Sequence, residues 1–199
     1  MKILIIGATG TIGSKIYQSL KNDGYEVYGA HRNNQEYPVD ITDKQSINLL
    51  FQKLPKLDAV INAAGTASWK TLSELTEDDY YLGIQSKLMG QVNLVHIAKE
   101  HLVDNGSITL TTGILAEHYE PNAVALSLVN GGIHSFVNSA SNELDRGIRL
   151  NVVAPGAIAG DFPTDKKFAG YYPIVIEEAI KLYKQTLTEK ITGQILKKY

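Results

Sequence analysis

Short apolar runs alternate with longer amphipathic segments along the whole of the 199-residue chain. The apolar runs are rich in β-branched residues and carry almost no charge, which is typical of strands buried on both faces of a parallel sheet. The segments between them repeat apolar residues at the helical period. The pattern predicts strands at Ile3–Ile6, Tyr25–Ala30, Leu57–Asn62, Ser107–Thr111, Ile148–Val153 and Thr192–Lys197, and a short one around Val39.

Helices are predicted between these strands, at Thr11–Lys21, Asp43–Leu54, Leu75–Leu102 (as one or two helices), Asn122–Leu144 and Val175–Gln185. This order predicts the α/β class and a single Rossmann-type domain, residues 1–199, built on a doubly wound parallel sheet. The ligand crevice of such a sheet lies beyond the carboxyl ends of its strands. One connection is unusual, because His31–Glu36 is too short for a crossover helix and is predicted to be a loop.

A glycine-rich turn follows the first strand and opens the first helix, with the sequence GATGTIG at residues 7–13. Glycine permits positive φ and close approach of a ligand to the backbone, and the helix N-terminus offers free amides to a phosphate. The spacing is G-x-x-G-x-x-G, because Ala8 replaces one glycine of the usual G-x-G-x-x-G. A purely structural turn is the alternative. The predicted phosphate-binding residues are Gly7, Thr9, Gly10, Thr11, Ile12 and Gly13.

The second strand ends in His31 and Arg32, without the acid that usually binds the ribose 2′-hydroxyl of NAD. Arg32 is suited instead to pair with a 2′-phosphate. We therefore predict that NADP(H) is preferred and that NAD(H) is possible, with a solvated surface arginine as the alternative interpretation of Arg32.

Six motifs in order resemble the short-chain dehydrogenase/reductase family over nearly the whole chain. They are Gly7–Gly13, Val39–Asp43, Asn62–Gly65, Gly106–Ile108, Gly147–Gly156 and Ile191–Gln194. The resemblance implies that Asp40 lies beside the adenine, with Ile41 at its edge, and helix capping is the alternative for Asp40. It also implies a cofactor-lining segment, for which a plain strand end is the alternative, at Asn62, Ala63, Ala64 and Gly65. The nicotinamide would be held by Pro155, Gly156 and Ile158.

The family's catalytic Tyr-x-x-x-Lys pair is missing at the matching positions. Counting back from Glu143-Leu144 places Leu126 at the tyrosine position and Asn130 at the lysine position. A shift of one residue gives Ala125 and Val129, which does not restore the pair. The serine position of the family falls at Thr112 or Gly113, so Thr112 is predicted to be a catalytic hydroxyl, with an ordinary strand-ending residue as the alternative.

Lys87 is the second predicted catalytic residue. It stands three residues before Gly90, where the family has an asparagine that faces the active site. A lysine in the crevice could hold the ribose, or act as an acid if burial lowers its pKa. A surface lysine on an amphipathic helix is the alternative. Tyr119 and His118, in the loop after the Thr112 strand, are further candidate acids, although loop residues are more often solvated.

Two functions are compatible with these motifs. One is an NADP(H)-dependent oxidoreductase with a rebuilt proton-transfer site, since the cofactor supplies the hydride. The other is an NADP(H)-binding sensor or scaffold without turnover, which the missing tyrosine favours. A small-molecule substrate is expected, but the sequence does not identify it. Association through the fourth and fifth helices, as a homodimer or homotetramer, is implied by the family resemblance alone.

The composition limits the classes of binding partner that are expected and indicates a cellular compartment. Lys and Arg total 19 against 21 acids, a formal net charge of −2, which does not indicate nucleic-acid binding. No apolar run approaches the roughly 18 residues that a membrane span needs, and Met1–Ile6 does not resemble a signal peptide. The chain has no cysteine, which excludes thiolate chemistry and cysteine metal sites. A cytoplasmic protein without membrane contact and without a metal is therefore expected.

Overall fold

The computed structural model describes all residues from Met1 to Tyr199 and consists of one six-stranded parallel sheet with helices on both faces. The strands are β1 (Lys2–Ile6), β2 (Glu26–Ala30), β3 (Leu57–Asn62), β4 (Leu102–Thr111), β5 (Arg149–Pro155) and β6 (Ile195–Lys198). The helices are α1 (Thr11–Asn22), α2 (Lys44–Gln52), α3 (Glu77–Gly83), α4 (Gly90–His101), α5 (Val124–Ala140) and α6 (Ile176–Thr188).

The strand order is β2-β1-β3-β4-β5-β6, and all neighbouring pairs are parallel. The chain leaves β1 toward one edge of the sheet and later crosses to β3 on its other side. This change of direction creates a crevice beyond the carboxyl ends of β1 and β3, which is where open α/β sheets bind ligands. The predicted Rossmann-type doubly wound fold is confirmed.

The sheet is buried on both faces, as the uncharged strands predicted. Ile3–Ile6 of β1 are fully buried, and their side chains alternate between two hydrophobic cores. Leu4 and Ile6 pack in the larger core with residues of α2, α4 and α5, whereas Ile3 and Ile5 pack with residues of α1 and α6. Burial of these aliphatic side chains contributes roughly 1.5–3 kcal/mol each. No helix is both long enough and apolar enough to cross a lipid bilayer.

The segment after β2 differs from a regular crossover. The loop predicted at residues 31–36 is confirmed, because no helix forms there and β2 is left at the edge of the sheet. The short strand predicted around Val39 is wrong, since the segment makes only an isolated bridge between His31 and Pro38. Val39 is nonetheless buried in the larger core, so its apolar signal came from packing and not from sheet pairing. Asp43 is the N-cap residue of α2, and its carboxylate accepts a hydrogen bond from Gln45 N.

The long helical region predicted at residues 75–102 consists of three consecutive pieces. Thr76 and Asp79 form a capping box that starts α3. A π-helical segment, Ile84–Met89, then joins α3 to α4. A π-helical turn inside a helix is often found at a functional site, and this one carries Lys87. The helix predicted at residues 122–144 is shorter than expected and ends at Ala140.

Candidate functional site

A cleft of about 280 Å³ lies at the carboxyl ends of β1 and β3. The sequence analysis predicted six of its ten lining residues, and the fold brings them together although they are far apart in the chain. Thr66 and Ser86 were missed, and Ser86 Oγ accepts a hydrogen bond from Thr66 N at 3.1 Å. The lining residues are Ile6, Gly7, His31, Arg32, Val39, Ile41, Ala64, Gly65, Thr66 and Ser86.

Glycine at two positions of the turn is required by backbone contacts. Gly7 has φ +85°, and a Cβ there would lie 2.8 Å from Ala64 N. A Cβ at Gly13 would lie only 2.1 Å from Gly7 O, so α1 packs against the turn without room for any side chain. The turn is thereby held directly against β3 and the start of α1.

The N-terminus of α1 is exposed to solvent. Gly10 is the N-cap residue and provides no side-chain acceptor for the first amides of this 12-residue helix. Thr9, Gly10 and Thr11 are exposed, so these amides and the positive end of the helix dipole are accessible to an anion. Ile12 is half-buried and packs toward Ile158, which joins the two predicted ends of the cofactor site.

Arg32 and Asp40 form an ion pair at one side of the cleft, with Arg32 Nε 3.2 Å from Asp40 Oδ2. Asp40 also accepts hydrogen bonds from Thr42 N and Thr42 Oγ1. Partial burial raises the pKa of Asp40, but the Thr42 hydrogen bonds and the Arg32 charge lower it overall. Asp40 is therefore an anion that orients Arg32, and it does not cap α2. The Arg32 side chain remains 71% exposed, so its guanidinium is accessible to a ligand bound in the cleft.

The strand end at Asn62 lies opposite the glycine turn. Ala63 N donates to Ile6 O, and Asn62 Nδ2 donates to Ala64 O. Asn62 Oδ1 is buried and has no hydrogen-bond partner. Gly65 has φ +126°, and a Cβ there would lie 3.1 Å from the Cα of Lys87. The two glycines and this unpaired oxygen fit a ligand that passes close to the backbone, as a dinucleotide does.

Lys87 is packed against Gly65 within the π-helical segment. Its ammonium forms no ion pair, and burial lowers its pKa to about 8. The backbone around it is fixed by Gln91, whose Nε2 donates to Lys87 O and to Thr111 O. Gln91 Oε1 also accepts from Thr111 N, so this side chain ties Lys87 to the end of β4. Sequence reasoning missed Gln91, since a glutamine inside a helix has no distinctive pattern.

Thr112 follows β4 and is buried against α5. Its Oγ1 lies 2.9 Å from His134 Nε2, and His134 Nδ1 lies 3.8 Å from a carboxylate oxygen of Glu117. Burial lowers the pKa of His134 and the charge of Glu117 opposes this shift, with a net lowering. The hydroxyl of the preceding residue, Thr111, donates a hydrogen bond to Asn62 O. The two threonines at this strand end therefore point to opposite faces of the sheet.

Gly113 is the next residue, and its backbone is extended with φ 174°. A Cβ there would lie 3.4 Å from Pro155 O and 4.0 Å from Asn130 Nδ2, so this position faces α5 at the level of Asn130. Asn130 is buried, and its Oδ1 has no hydrogen-bond partner. Leu126, one turn earlier on α5, packs beside the small apolar group formed by Ile114, Leu115, Ala123 and Ala169.

Pro155 and Gly156 end β5 beside the last strand. Gly156 N donates to Lys198 O at 2.7 Å, and Ile158 is buried against Ile174 and Ala179. Of the loop candidates, Tyr119 is 81% exposed, whereas the His118 ring contacts the rings of Tyr171 and Tyr199 at centroid distances of 5.0 and 5.3 Å. Sequence reasoning did not single out Tyr199, because it follows the last predicted strand and belongs to none of the motifs.

A family model described as enoyl-(acyl carrier protein) reductase matches residues 7–191, nearly the whole chain. The chain therefore belongs to the short-chain dehydrogenase/reductase family, as the motifs predicted. The crystal structure of the protein lin1944 from Listeria innocua superposes on this chain with a TM-score of 0.95 and 36% sequence identity. The match covers 100% of each chain.

Named relatives in the family are oxidoreductases. The 3-oxoacyl-[acyl-carrier-protein] reductase FabG of Haemophilus influenzae is 26% identical over 84% of this chain and 79% of its own length. The uncharacterized oxidoreductase YmfI of Bacillus subtilis is 25% identical over 97% and 95% of the two chains. A small-chain dehydrogenase solved in complex with NADPH has the same fold, with a TM-score of 0.86 at 21% identity over 100% and 96% of the chains. The chain is accordingly an oxidoreductase by family.

Proposed function

We propose that this protein is a single-domain NADP(H)-dependent oxidoreductase that interconverts a carbonyl and a hydroxyl group on a small molecule, with a rebuilt proton-transfer site. The observation that carries the proposal is the cleft, which is lined by Gly7 at the start of the glycine turn, by Ala64 and Gly65, and by Arg32. The NADPH and NADP complexes among proteins of the same fold are consistent with this cofactor.

The residues present fit a dinucleotide in an extended position. The turn at residues 7–13 would hold the pyrophosphate, Asp40 and Ile41 the adenine, and His31 with Arg32 the 2′-phosphate. Asn62, Ala63, Ala64 and Gly65 would line the central part. Pro155, Gly156 and Ile158 would hold the nicotinamide amide. When bound, the reduced nicotinamide supplies a hydride, and the protein contributes orientation and a proton.

The rebuilt part of the site is the position of the usual tyrosine and lysine. Leu126 and Asn130 stand there, and the position facing Asn130 from β4 is Gly113 in place of a serine. Lys87 packs against Gly65, and we assign it the role of the cation that would hold the ribose in place of the missing lysine. The Thr112 hydroxyl is hydrogen-bonded to His134, so Thr112 would act by positioning that imidazole.

An NADP(H)-binding sensor or scaffold is the second candidate function, and Leu126 with Asn130 is the observation that favours it. Family membership favours the enzyme.

Assembly through α4 and α5 into a homodimer or homotetramer is compatible with either proposed function. Leu128 on α5 and Met89 directly before α4 are 48% and 41% exposed, and contact with a second copy would bury them.

The function is tested by titrating NADPH and NADH while cofactor fluorescence and thermal stability are recorded. We expect NADPH to bind about tenfold more tightly than NADH, because one charge-assisted contact contributes roughly 1.5 kcal/mol. A panel of carbonyl compounds that includes 3-oxoacyl thioesters is then assayed for oxidation of the bound NADPH. Binding without turnover on the whole panel would support the sensor, and no binding of either nucleotide would contradict both functions.

Replacement of Arg32 tests the choice between the two cofactors. In Arg32→Ala we expect the NADPH dissociation constant to rise roughly tenfold, because the 2′-phosphate loses its charged partner. The NADH dissociation constant should stay within about twofold, since NADH carries no phosphate there. The folding stability should also change little, because an exposed ion pair contributes at most about 1 kcal/mol. Equal weakening of both cofactors would contradict the assignment.

A further inference from the structure

Tyr199 comes directly after β6, at the same edge of the sheet as the proposed site. β6 runs parallel to β5, with Lys198 in register with Pro155. Tyr199 is therefore level with Gly156, and a Cβ at Gly156 would lie 3.4 Å from the Tyr199 Cα. The predicted nicotinamide turn and Tyr199 are backbone neighbours, although they are 43 positions apart in the sequence.

The side chain of Tyr199 points to the α5 face of the sheet. Alternation along β6 sends Lys197 to Glu117, on the α5 side, and Lys198 to Glu178, at the start of α6. Tyr199 shares the side of Lys197, and its ring packs on the apolar group that also contacts Leu126. The family's tyrosine position and this phenol therefore meet in one cluster.

The Tyr199 hydroxyl is buried and has no hydrogen-bond partner. Only two other buried side-chain atoms share this property, Asn62 Oδ1 and Asn130 Oδ1, and all three lie toward the carboxyl ends of the strands. A buried unpaired hydroxyl is unfavourable, and its presence at a site calls for an explanation such as a ligand that pairs with it. Burial, with smaller contributions from Glu117 and Tyr171, raises the pKa of Tyr199 to about 12, so the group is a donor at neutral pH.

We propose that the Tyr199 phenol donates the proton to the substrate carbonyl oxygen and so replaces the tyrosine that is missing at position 126. The inference rests on the proposed oxidoreductase function and names its acid. The carbonyl carbon takes up a hydride supplied by the reduced nicotinamide, and the C=O electron pair moves to the oxygen. That oxygen takes the proton as the Tyr199 O–H bond breaks, and the phenolate recovers a proton from water.

The test compares Tyr199→Phe with Tyr171→Phe, each of which removes one hydroxyl from the same aromatic group. With the best carbonyl compound of the panel, we expect Tyr199→Phe to lower kcat about 100-fold, the usual order of a general-acid contribution. Its affinity for the same compound, measured by calorimetry on the complex with NADP⁺, should fall roughly fivefold because one hydrogen bond is lost. Tyr171→Phe should change kcat less than about threefold, since its phenol takes no part in the proton transfer.

Two further measurements separate catalysis from structure. NADPH affinity should be unchanged in Tyr199→Phe, and its Tm should be no lower than that of the unmodified protein, because the hydroxyl has no partner in the fold. A Tyr199→Phe variant with normal kcat, or with a lowered Tm that accounts for its lost activity, would overturn this inference and leave the proposed function intact. An unmodified protein that binds NADPH but reduces no compound of the panel would overturn both.

Discussion

Gly13→Ala should be the most damaging single-methyl substitution in the glycine-rich turn of this protein. The new Cβ would lie 2.1 Å from Gly7 O, and the obstacle is backbone that cannot rotate away. Helix α1 must then shift from the turn, at a cost of about 1–3 kcal/mol or more in the free energy of unfolding. NADPH affinity should fall more than about 100-fold, because the helix amides no longer point to one phosphate position. Denaturant unfolding and fluorescence titration measure the two effects.

Two matched substitutions provide controls for Gly13→Ala. Gly131 lies in α5 with no atom within 4 Å of its Cβ position, so Gly131→Ala should stabilise the protein by up to about 1 kcal/mol through helix propensity. Gly10→Ala places its Cβ 3.5 Å from Gly7 O, which is ordinary contact, and should lower the free energy of unfolding by less than about 1 kcal/mol, because only the N-cap preference for glycine is lost. If Gly13→Ala were as stable as Gly10→Ala, the steric requirement at this turn would be refuted.

Lys87→Met should weaken NADPH binding by about 10- to 100-fold and lower turnover with it, because one charge-assisted contact to the cofactor is removed. The same change should make the cofactor-free protein more stable. Burial places the pKa of Lys87 at about 8 in the folded protein, below its ordinary value of 10.5. Charging this amine therefore opposes folding, and methionine removes that cost.

The pH dependence of stability follows from the same shift. Between about pH 10.5 and pH 8 the unfolded chain binds the proton more tightly than the folded one, so the unmodified protein loses stability as the pH falls through this range. The Tm difference between Lys87→Met and the unmodified protein should thus be largest below pH 8 and vanish above pH 10.5. A Tm difference that did not depend on pH would refute the lowered pKa of Lys87.

Cofactor binding should also move a proton at Lys87. An anionic dinucleotide beside the ammonium raises its pKa, so binding near pH 8.5 takes up a fraction of a proton from the buffer. Calorimetry in two buffers of different ionisation enthalpy measures this uptake directly. It should disappear in Lys87→Met and persist in Lys53→Met, which replaces an exposed lysine at the end of α2. Unchanged uptake in Lys87→Met would show that another group carries the proton.

Local patterns predicted most of the fold because the decisive interactions are close in sequence. The β-branched runs identified the six strands, and the glycine spacing at residues 7–13 identified the turn that the structure packs against β3. The pattern failed at Val39, where an apolar residue is buried without any strand. Burial and strand pairing have the same apolar signature in a short segment, so the sequence alone could not distinguish them.

The candidate site was predictable only in part, for a geometric reason. Thr112 was selected as a strand-end hydroxyl, but the twist and alternation of β4 direct its side chain to His134 and leave Gly113 facing Asn130. Lys87 was selected from its place in the family pattern, while its burial against Gly65 and its anchor at Gln91 depend on the π-helical turn. Contacts of this kind join residues from different elements and leave no periodic trace in either.

The sequence by itself determined the class of this protein, a short-chain dehydrogenase/reductase, and the position of its glycine-rich turn at residues 7–13. Only the tertiary structure decided which groups lie together at the carboxyl edge of the sheet. Parallel strands bring their carboxyl ends to one edge whatever their separation in the chain. That is why Tyr199, which no motif marked, lies beside Gly156 and packs in the same cluster as Leu126.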